Sequence, residues 1–242
     1  MKEWLTIAIP TMDRFSFLRE TLPTYLQRPE VARVILCDEN GNDAKALQST
    51  PFYTHPKLRV IVNEKRLGIY ENKLKCIRES QDTPMVAVLD SDNIFSDEWF
   101  EVLTDAVKRH GFDTIYGSAE FQSINRSTGE TIVPCTAFVN HWIRSPSEWN
   151  SMFEKTKWNH LLNDGNWVLP SKAALAALPA DVKSSTLEAV DALFMLKEFV
   201  RSGIPVWYVP TLSYIHIVHP GSSWLNTAAK SSRILKNTVW SL

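Results

Sequence analysis

The first 120 residues alternate between strand-like and helix-like segments, and this alternation constrains the fold more than any other feature. The strand-like segments are short and apolar: "EWLTIAIP", "ARVILCD", "LRVIVNE", "MVAVLD" and "DTIYGSAEF". Between them lie segments with apolar residues at helical spacing: "FSFLRETLPTYLQ", "IYENKLKCIRES" and "DEWFEVLTDAVKRHG". Buried strands that alternate with helices are typical of a mostly parallel sheet covered on both faces. The sequence therefore predicts an α/β fold with such a sheet flanked by helices.

The second half of the chain, from residue 121, is less regular. It contains a hairpin-like turn, "NRSTGET", and then a stretch rich in Trp and Asn that shows no period. Its later segments predict a short helix in "SKAALAALP", a long helix in "STLEAVDALFMLKEFVRSG", a short strand in "PVWYVP" and a loop in "IHIVHPGSS". Because no linker or change of composition separates the halves, we expect residues 1–242 to form one domain. Residues 121–242 would then lay a smaller region over the sheet.

Composition and charge exclude several classes of protein. The net charge of −1, with both signs interspersed, argues against a broad nucleic-acid groove, which needs a basic excess. Three scattered cysteines without metal-type spacing indicate reduced thiols. The N-terminus has too short an apolar run for a signal peptide, and no apolar stretch reaches the ~18 residues of a transmembrane segment. The sequence predicts a soluble, cytoplasmic protein.

Two carboxylates follow the fourth predicted strand, in "MVAVLDSDN". Asp90 and Asp92 flank Ser91 at the point where a parallel strand leaves the core. Ligands of open α/β sheets bind beyond the carboxyl ends of the strands, and Mg²⁺ or Mn²⁺ needs only one or two protein carboxylates together with phosphate oxygens. This turn therefore predicts a cation site for a diphosphate, although Asp92 or Ser91 could equally serve to cap or turn the chain.

Polar residues also follow the other predicted strands, at the same edge of the sheet. Thr11 could contact a base or ribose, and Asp38 could accept hydrogen bonds from a base or act as a turn residue. Arg66 and Lys73 could meet phosphates, although Lys73 also fits a solvated helix position. Gly68 would let the chain pass close to a ligand. The full predicted set at this edge is Pro10, Thr11, Arg14, Asp38, Arg66, Gly68, Asn72, Lys73, Asp90 and Ser91.

Four of these segments together resemble the family-2 glycosyltransferases, which share the Rossmann-like GT-A fold. "TIAIPTMDRFSFLRETLPTYL" is similar to the opening of that family, and "VILCDENGND" to its second strand and acidic turn. "VNEKRLGIYENKLKCI" resembles its Asn-x-Gly-x-x-x-x-Asn segment, and "MVAVLDSDNIFSDEWFEVL" its Asp-x-Asp region. The resemblance covers residues 4 to about 110 and returns weakly in "DALFMLKEFVRSGIPVWYVP" and "HPGSS".

The resemblance implies a nucleotide-sugar substrate, a divalent cation (Mn²⁺ or Mg²⁺) and inversion at the sugar carbon. Residues 1–120 would bind the nucleotide sugar, and residues 121–242 would bind the acceptor and carry the catalytic base. Thr11 and Asp38 match nucleotide-contacting positions of the family. Asp90 and Asp92 match its metal and diphosphate motif, with Asp92 as the direct metal ligand.

The catalytic base is where the sequence departs from the family. The usual base is the Asp of a Glu-Asp pair about twelve residues before a glycine, here Gly203, and no such pair is present. Asp191 falls where the first member of the pair would be, and Ala192 where the second would be. Glu188 fits a capping box with Ser185. Asp191 is therefore the predicted base, with Glu188 as the fallback, although Asp191 could also be a solvated helix charge.

A histidine follows the last predicted strand. His219 matches the histidine of a "His-Pro-Gly-Ser" segment found in members of the family. It would be a third metal ligand beside Asp90 and Asp92 or would touch the diphosphate. A loop histidine with local hydrogen bonds is the alternative.

Three functions are compatible with these sequence features. The first is an inverting glycosyltransferase that moves one sugar from a UDP- or GDP-sugar to a hydroxyl of a glycan, a lipid-linked molecule or a protein. The second is a non-catalytic nucleotide- or sugar-binding protein of the same fold, which the missing Glu-Asp pair favours. The third is a nucleotidyltransferase, which would carry a glycine-rich phosphate loop after the first strand, and "PTMDRFS" has no glycine.

Overall fold

The fold is given by a computed structural model that describes residues 1–132, 140–156, 166–187, 190–220 and 241–242. Its strands are β1 (Leu5–Thr11), β2 (Val31–Asp38), β3 (Leu58–Val62), β4 (Met85–Val88), β5 (Ile115–Asn125), β6 (Thr131–Ile132), β7 (Trp142–Ile143), β8 (Val168–Pro170) and β9 (Val206–Val218). Its helices are α1 (Phe15–Gln27), α2 (Asn42–Leu47), α3 (Ile69–Arg78), α4 (Asp97–His110), α5 (Pro146–Thr156), α6 (Ser171–Ala177), α7 (Ser184–Leu187) and α8 (Asp191–Arg201).

The strands of the described residues form one nine-stranded sheet, in the order β3-β2-β1-β4-β8-β5-β9-β7, with β6 paired to β5. Strands β1 to β4 are mutually parallel, and β5 is parallel to β9. Strand β8 runs antiparallel to both β4 and β5 and so joins the two parallel groups. The predicted α/β fold, a mostly parallel sheet flanked by helices, is confirmed.

Apolar side chains on both faces of the sheet hold the helices in place. On β1, Leu5, Ile7 and Ile9 pack in the cluster that contains α1 and α4, whereas Ala8 joins the opposite cluster with α3, α6 and α8. A strand buried on both faces needs apolar residues at every position, which explains the continuous runs in the sequence. Each fully buried Leu or Ile side chain contributes roughly 1.5–3 kcal/mol.

Helix α4 shows how local sequence sets the position of an element. The Ser96 hydroxyl accepts a hydrogen bond from the backbone N–H of Trp99 and caps the first turn. Acidic residues occupy the first turn and basic residues the last turn, which suits the helix dipole. The helix ends at Gly111, whose φ of 80° suits a residue without a side chain. The start of α4 fixes the end of the acidic turn after β4.

Strand β9 differs from the prediction. The segment "IHIVHPGSS" was expected to be a loop, but β9 continues through Val218 and is thirteen residues long. Pro210 lies inside it, and a proline within an apolar run normally argues against a strand. The structure accommodates this proline at an irregularity where Ser118 pairs with Val209 and residue 120 pairs with Ser213. The second half therefore extends the sheet as well as covering it.

Candidate active site

The acidic turn after β4 is short and anchored at both ends. The backbone N–H of Asn93 donates to the carbonyl of Asp90 at 2.9 Å, which closes the turn. The backbone N–H of Asp90 donates to the side-chain oxygen of Asn166 at 3.0 Å. Ser91 is buried inside the turn. Asp90 and Asp92 are thus held by backbone contacts at the carboxyl end of a central strand.

Asn93 ties this turn to the end of β9. Its side-chain oxygen accepts a hydrogen bond from the backbone N–H of Ile217 at 3.2 Å. The next residue, Ile94, forms an antiparallel bridge with Ile215 through two hydrogen bonds of 2.9 Å. These contacts bring the chain just beyond β9, including His219, to the acidic turn. The role of Asn93 was missed, because nothing in its sequence context names Ile217 as a partner.

Asp92 and His219 are in direct contact. The Asp92 Oδ2 and His219 Nε2 atoms lie 2.8 Å apart, and the Nε atom of Arg14 lies 3.8 Å from the same carboxylate oxygen. The ring of Phe17 packs on the His219 ring with 5.2 Å between centroids. The structure therefore brings together three residues that are predicted at the site, Arg14, Asp92 and His219, although 127 positions separate Asp92 from His219.

Lys73 lies between Asp90 and Asp191. Its Nζ atom is 3.2 Å from Asp90 Oδ1 and 3.1 Å from Asp191 Oδ2, and its side chain is 5% exposed. Burial acts to lower the pKa of Lys73, but the negative charges of Asp191 and Asp90 outweigh it and raise this pKa above its ordinary value. Lys73 is therefore a buried cation held between two carboxylates.

Asp191 is the first residue of α8, and its side chain is only 6% exposed. Burial raises the pKa of Asp191; the positive charge of Lys73 opposes this shift, and the negative charge of Asp90 adds to it. A raised pKa makes this carboxylate a stronger base than an ordinary aspartate. The fallback base, Glu188, lies outside the described residues.

Asp43, which the sequence motifs do not single out, organises the loop after β1. Its Oδ2 atom accepts a hydrogen bond of 2.6 Å from the Thr11 hydroxyl, and its Oδ1 atom accepts one of 2.8 Å from the backbone N–H of Arg14. Burial raises the pKa of Asp43, and these two hydrogen bonds oppose the shift. Its position five residues after Asp38, at the start of a helix, was the available signal.

The acidic residues at the end of β2 bind backbone groups of their own protein. Asp38 is fully buried, and its oxygens accept hydrogen bonds from the backbone N–H groups of Asn40 at 3.2 Å and Ala44 at 2.9 Å. Glu39, also missed, accepts hydrogen bonds from the N–H groups of Leu67 at 2.6 Å and Gly68 at 2.9 Å. Asp38 thus holds α2, and Glu39 holds the approach to α3.

Most of the other predicted positions lie near the same edge but differ in exposure. Arg66 is exposed, and Pro10 is half-buried on β1 beside Cys37 of β2. Asn72 is buried and donates a hydrogen bond of 2.9 Å to the carbonyl of Cys37. A Cβ atom on Gly68 would lie 2.6 Å from the Cβ atom of Ser184, so this glycine permits a close approach of two protein segments.

The donor set fits a divalent cation in one respect. The 2.8 Å between the Asp92 oxygen and the His219 nitrogen is close to the ~3.0 Å that separates neighbouring ligands of an octahedral ion with ~2.1 Å bonds. Carboxylate and imidazole groups both bind Mn²⁺-type ions. The described residues contain no group of three or more His, Cys, Asp or Glu side chains that could hold a metal ion. Asp90 forms an ion pair with Lys73. Phosphate oxygens of a bound nucleotide would have to complete the coordination.

The fold and this strand-end arrangement define an α/β protein of the GT-A class. The chain belongs to glycosyl transferase family 2, because the family model matches residues 6–168. No curated protein matches the chain.

Similar solved structures include S. aureus TarS 1-349 in complex with UDP-GlcNAc, at a TM-score of 0.63 and 13% identity over 99% of this chain and 62% of that one. They also include GalNAc-T7 with UDP, GalNAc and Mn²⁺, at a TM-score of 0.65 and 12% identity over 97% of this chain and 48% of that one. TarS 1-349 without a named ligand matches at a TM-score of 0.61 and 12% identity, over 98% and 66% of the two chains. The chain thus spans less than two thirds of the length of each, and the likeness establishes the fold.

No helix among the described residues has the length and apolar character needed to cross a bilayer.

Proposed function

We propose that this chain is an inverting glycosyltransferase that transfers one sugar from a nucleotide-diphosphate sugar to a hydroxyl acceptor with the help of a divalent cation. The observation that carries the proposal is the pairing of Asp92 with His219 at the carboxyl end of β4, beside the ion pairs that join Asp90 and Asp191 through Lys73. Family membership supports the reaction class. Because TarS and GalNAc-T7 are described with UDP or UDP-GlcNAc, we favour UDP over GDP as the nucleotide.

The proposed steps follow from the positions of the side chains. Asp92 and His219 would hold the cation, which supplies positive charge to the diphosphate when bound. Arg14, and Arg66 from the exposed loop before α3, would contact the phosphates, and Thr11 would contact the nucleoside. Asp191 would accept the proton of the acceptor hydroxyl while the new bond from oxygen to the sugar carbon forms and the bond to the diphosphate breaks. The acceptor is a glycan, a lipid-linked molecule or a protein, and the near-neutral charge argues against nucleic acid.

The metal assignment is tested by replacing Asp92 with alanine. We expect D92A to lose the Mn²⁺-dependent part of UDP affinity, because the carboxylate oxygen that pairs with His219 is removed. Isothermal titration calorimetry with UDP, with and without Mn²⁺, measures this. D105A is the matched control, since Asp105 is an exposed residue of α4 that pairs only with Lys108 among the described residues. Unchanged Mn²⁺-dependent affinity in D92A would remove Asp92 from the metal site.

The base assignment is tested by replacing Asp191 with asparagine. We expect D191N to keep UDP affinity but to lower the transfer rate by at least ~100-fold, the scale of losing a general base. Steady-state transfer from a UDP-sugar and calorimetry on the same preparation separate the two effects. Near-normal transfer would eliminate Asp191 and direct attention to Glu188.

One observation favours a second function, a non-catalytic nucleotide- or sugar-binding protein. The Asp191 side chain is 6% exposed and paired with Lys73, so that an acceptor reaches it only if neighbouring segments move. Hydrolysis of a UDP-sugar with Mn²⁺ distinguishes the two functions. A pure binding protein shows UDP affinity without any turnover of the UDP-sugar.

A further inference from the structure

Lys73 is surrounded by carboxylates, and this arrangement differs from that expected of a phosphate-binding lysine. Its ammonium group has an anion on each side, Asp90 at 3.2 Å and Asp191 at 3.1 Å. The three side chains together carry a net charge of −1, because one cation faces two anions. A diphosphate that approached Lys73 would meet this excess of negative charge. The positive charge of Lys73 is therefore neutralised by carboxylates of the protein itself.

The three residues come from three different elements. Lys73 lies in the middle of α3, Asp90 in the turn after β4, and Asp191 at the first position of α8. Asp90 is 38% exposed at the edge of the site, whereas Asp191 is almost completely buried. Lys73 thus links the accessible acidic turn to the buried start of α8. A link of this kind fixes the distance between the two carboxylates.

Asp191 depends on this link more than Asp90 does. Among the described residues Lys73 is its ion-pair partner, with the ammonium nitrogen 3.1 Å from the Asp191 Oδ2 atom. The residue before it, Val190, provides no side-chain cap for α8. A buried carboxylate without a counter-charge is strongly unfavourable, so removal of Lys73 would leave Asp191 to protonate or to move.

Helix α3 also holds the segment that precedes α8. The backbone N–H of Glu71 donates to the Ser184 hydroxyl at 3.0 Å, and the backbone N–H of Ser184 donates to the Glu71 carboxylate at 3.1 Å. Lys183 adds an ion pair of 3.3 Å with the same carboxylate. One helix therefore fixes both the chain that leads into α8 and the first side chain of α8.

We propose that Lys73 is a positioning residue that holds Asp191 in place, at a fixed distance from the acidic turn, and does not bind the sugar donor. This inference rests on the proposed function, in which Asp191 is the base. Correct placement of a reacting group can be worth about 100-fold in rate. Lys73 would therefore influence the rate of transfer and leave the affinity for UDP unchanged.

The test compares K73M, K73R, D191N and the double variant K73M/D191N. We expect K73M to lower kcat by about 10- to 100-fold with little change in UDP affinity or in the KM for the sugar donor. K73R, which keeps the charge, should recover part of kcat. In the D191N background, K73M should have almost no further effect on kcat, because the residue through which Lys73 acts is already lost. K75M is the matched control: Lys75 lies on the same helix, and among the described residues its Nζ atom donates a hydrogen bond to Asn63.

Three results would overturn the inference. The first is a loss of UDP affinity in K73M with an unchanged kcat, because this result would identify Lys73 as a diphosphate ligand. The second is an equal fall in kcat from K73M in the wild-type and D191N backgrounds, and the third is a K75M variant as impaired as K73M.

A wild-type protein without transfer activity would defeat the proposed function rather than this link. The melting temperatures of the same variants then test the link alone. The link is supported if K73M lowers the melting temperature of the wild type but hardly lowers that of D191N. An equal fall in melting temperature in both backgrounds refutes the link. If K73M fails to fold, the comparison of K73R with K73R/D191N gives the same information.

Discussion

At the scale of single residues, Asp43 shows how one carboxylate organises a binding edge without facing solvent. It accepts hydrogen bonds from the Thr11 hydroxyl and from the backbone N–H of Arg14. Arg14 in turn lies 3.8 Å from Asp92. A buried acid on the second strand-end loop thereby places a cationic side chain beside the acidic turn of the fourth strand.

Asp43 predicts a pH dependence of stability. Burial raises its folded pKa above the ordinary value of 3.8. At pH values between 3.8 and the higher folded pKa, the native protein binds more protons at Asp43 than the unfolded chain does. The free energy of unfolding therefore falls as the pH rises through this window. D43N removes this contribution, and urea unfolding from pH 3.8 to neutrality should show a weaker decline than in the wild type.

The exposed Asp105 provides the control for this experiment, because D105N should keep the decline of the wild type. Asp191, whose pKa burial also raises, contributes with the same sign in all three proteins. An identical decline in D43N and the wild type would contradict the assignment to Asp43.

Residues that act through a motif were accessible from the sequence, and residues that act through backbone contacts were not. Asp90, Asp92 and His219 were predicted as site residues from their type and order. Glu39 and Asn93 were missed because their partners are backbone N–H groups 28 and 124 positions away. Backbone groups are alike in every residue, so no side chain in the sequence indicates which of them a carboxylate or amide will meet.

At the scale of elements, the start of α3 depends on one close contact. Gly68 precedes the helix with φ of 86° and ψ of 173°, and Ser184 lies against it. The same junction carries the Glu71–Ser184 hydrogen bonds. Gly68, which is predicted to let the chain pass close to a ligand, makes room for Ser184 in the structure.

This contact predicts different costs for two similar glycine substitutions. Gly68 and Gly111 share almost the same backbone conformation, with φ near 80° and an extended ψ. A Cβ atom at Gly111 meets nothing within 4 Å, whereas one at Gly68 lies 2.6 Å from Ser184. We expect G111A to lower the free energy of unfolding by about 1–3 kcal/mol, because this backbone conformation is almost restricted to glycine, and G68A to lower it by a further ~1–3 kcal/mol from overpacking. Urea unfolding of both variants measures the difference, and equal losses would mean that the Ser184 contact costs nothing.

At the scale of the whole molecule, the parallel arrangement of β1 to β4 creates the site. The carboxyl ends of parallel strands meet at one edge, so residues from β1, β2 and β4 become neighbours although they are far apart in sequence. Strand β9 completes the edge from the second half, since its pairing with β5 and the bridge at Ile94 bring His219 to Asp92. The division of residues 1–242 into one domain with two functional halves stays a prediction.

The sequence by itself determined the elements of the first half, because strands buried on both faces and amphipathic helices leave period and composition signals that are local. The structure confirms this alternation from β1 to α4, including the end of α4 at Gly111. Only the tertiary structure decided the length of β9, the ion pairs of Lys73 and the contact between Asp92 and His219. Each of these features depends on contacts between segments that are distant in sequence. The local sequence around a charged residue or an apolar run does not determine which distant residue will pair with the charge or cover the apolar surface.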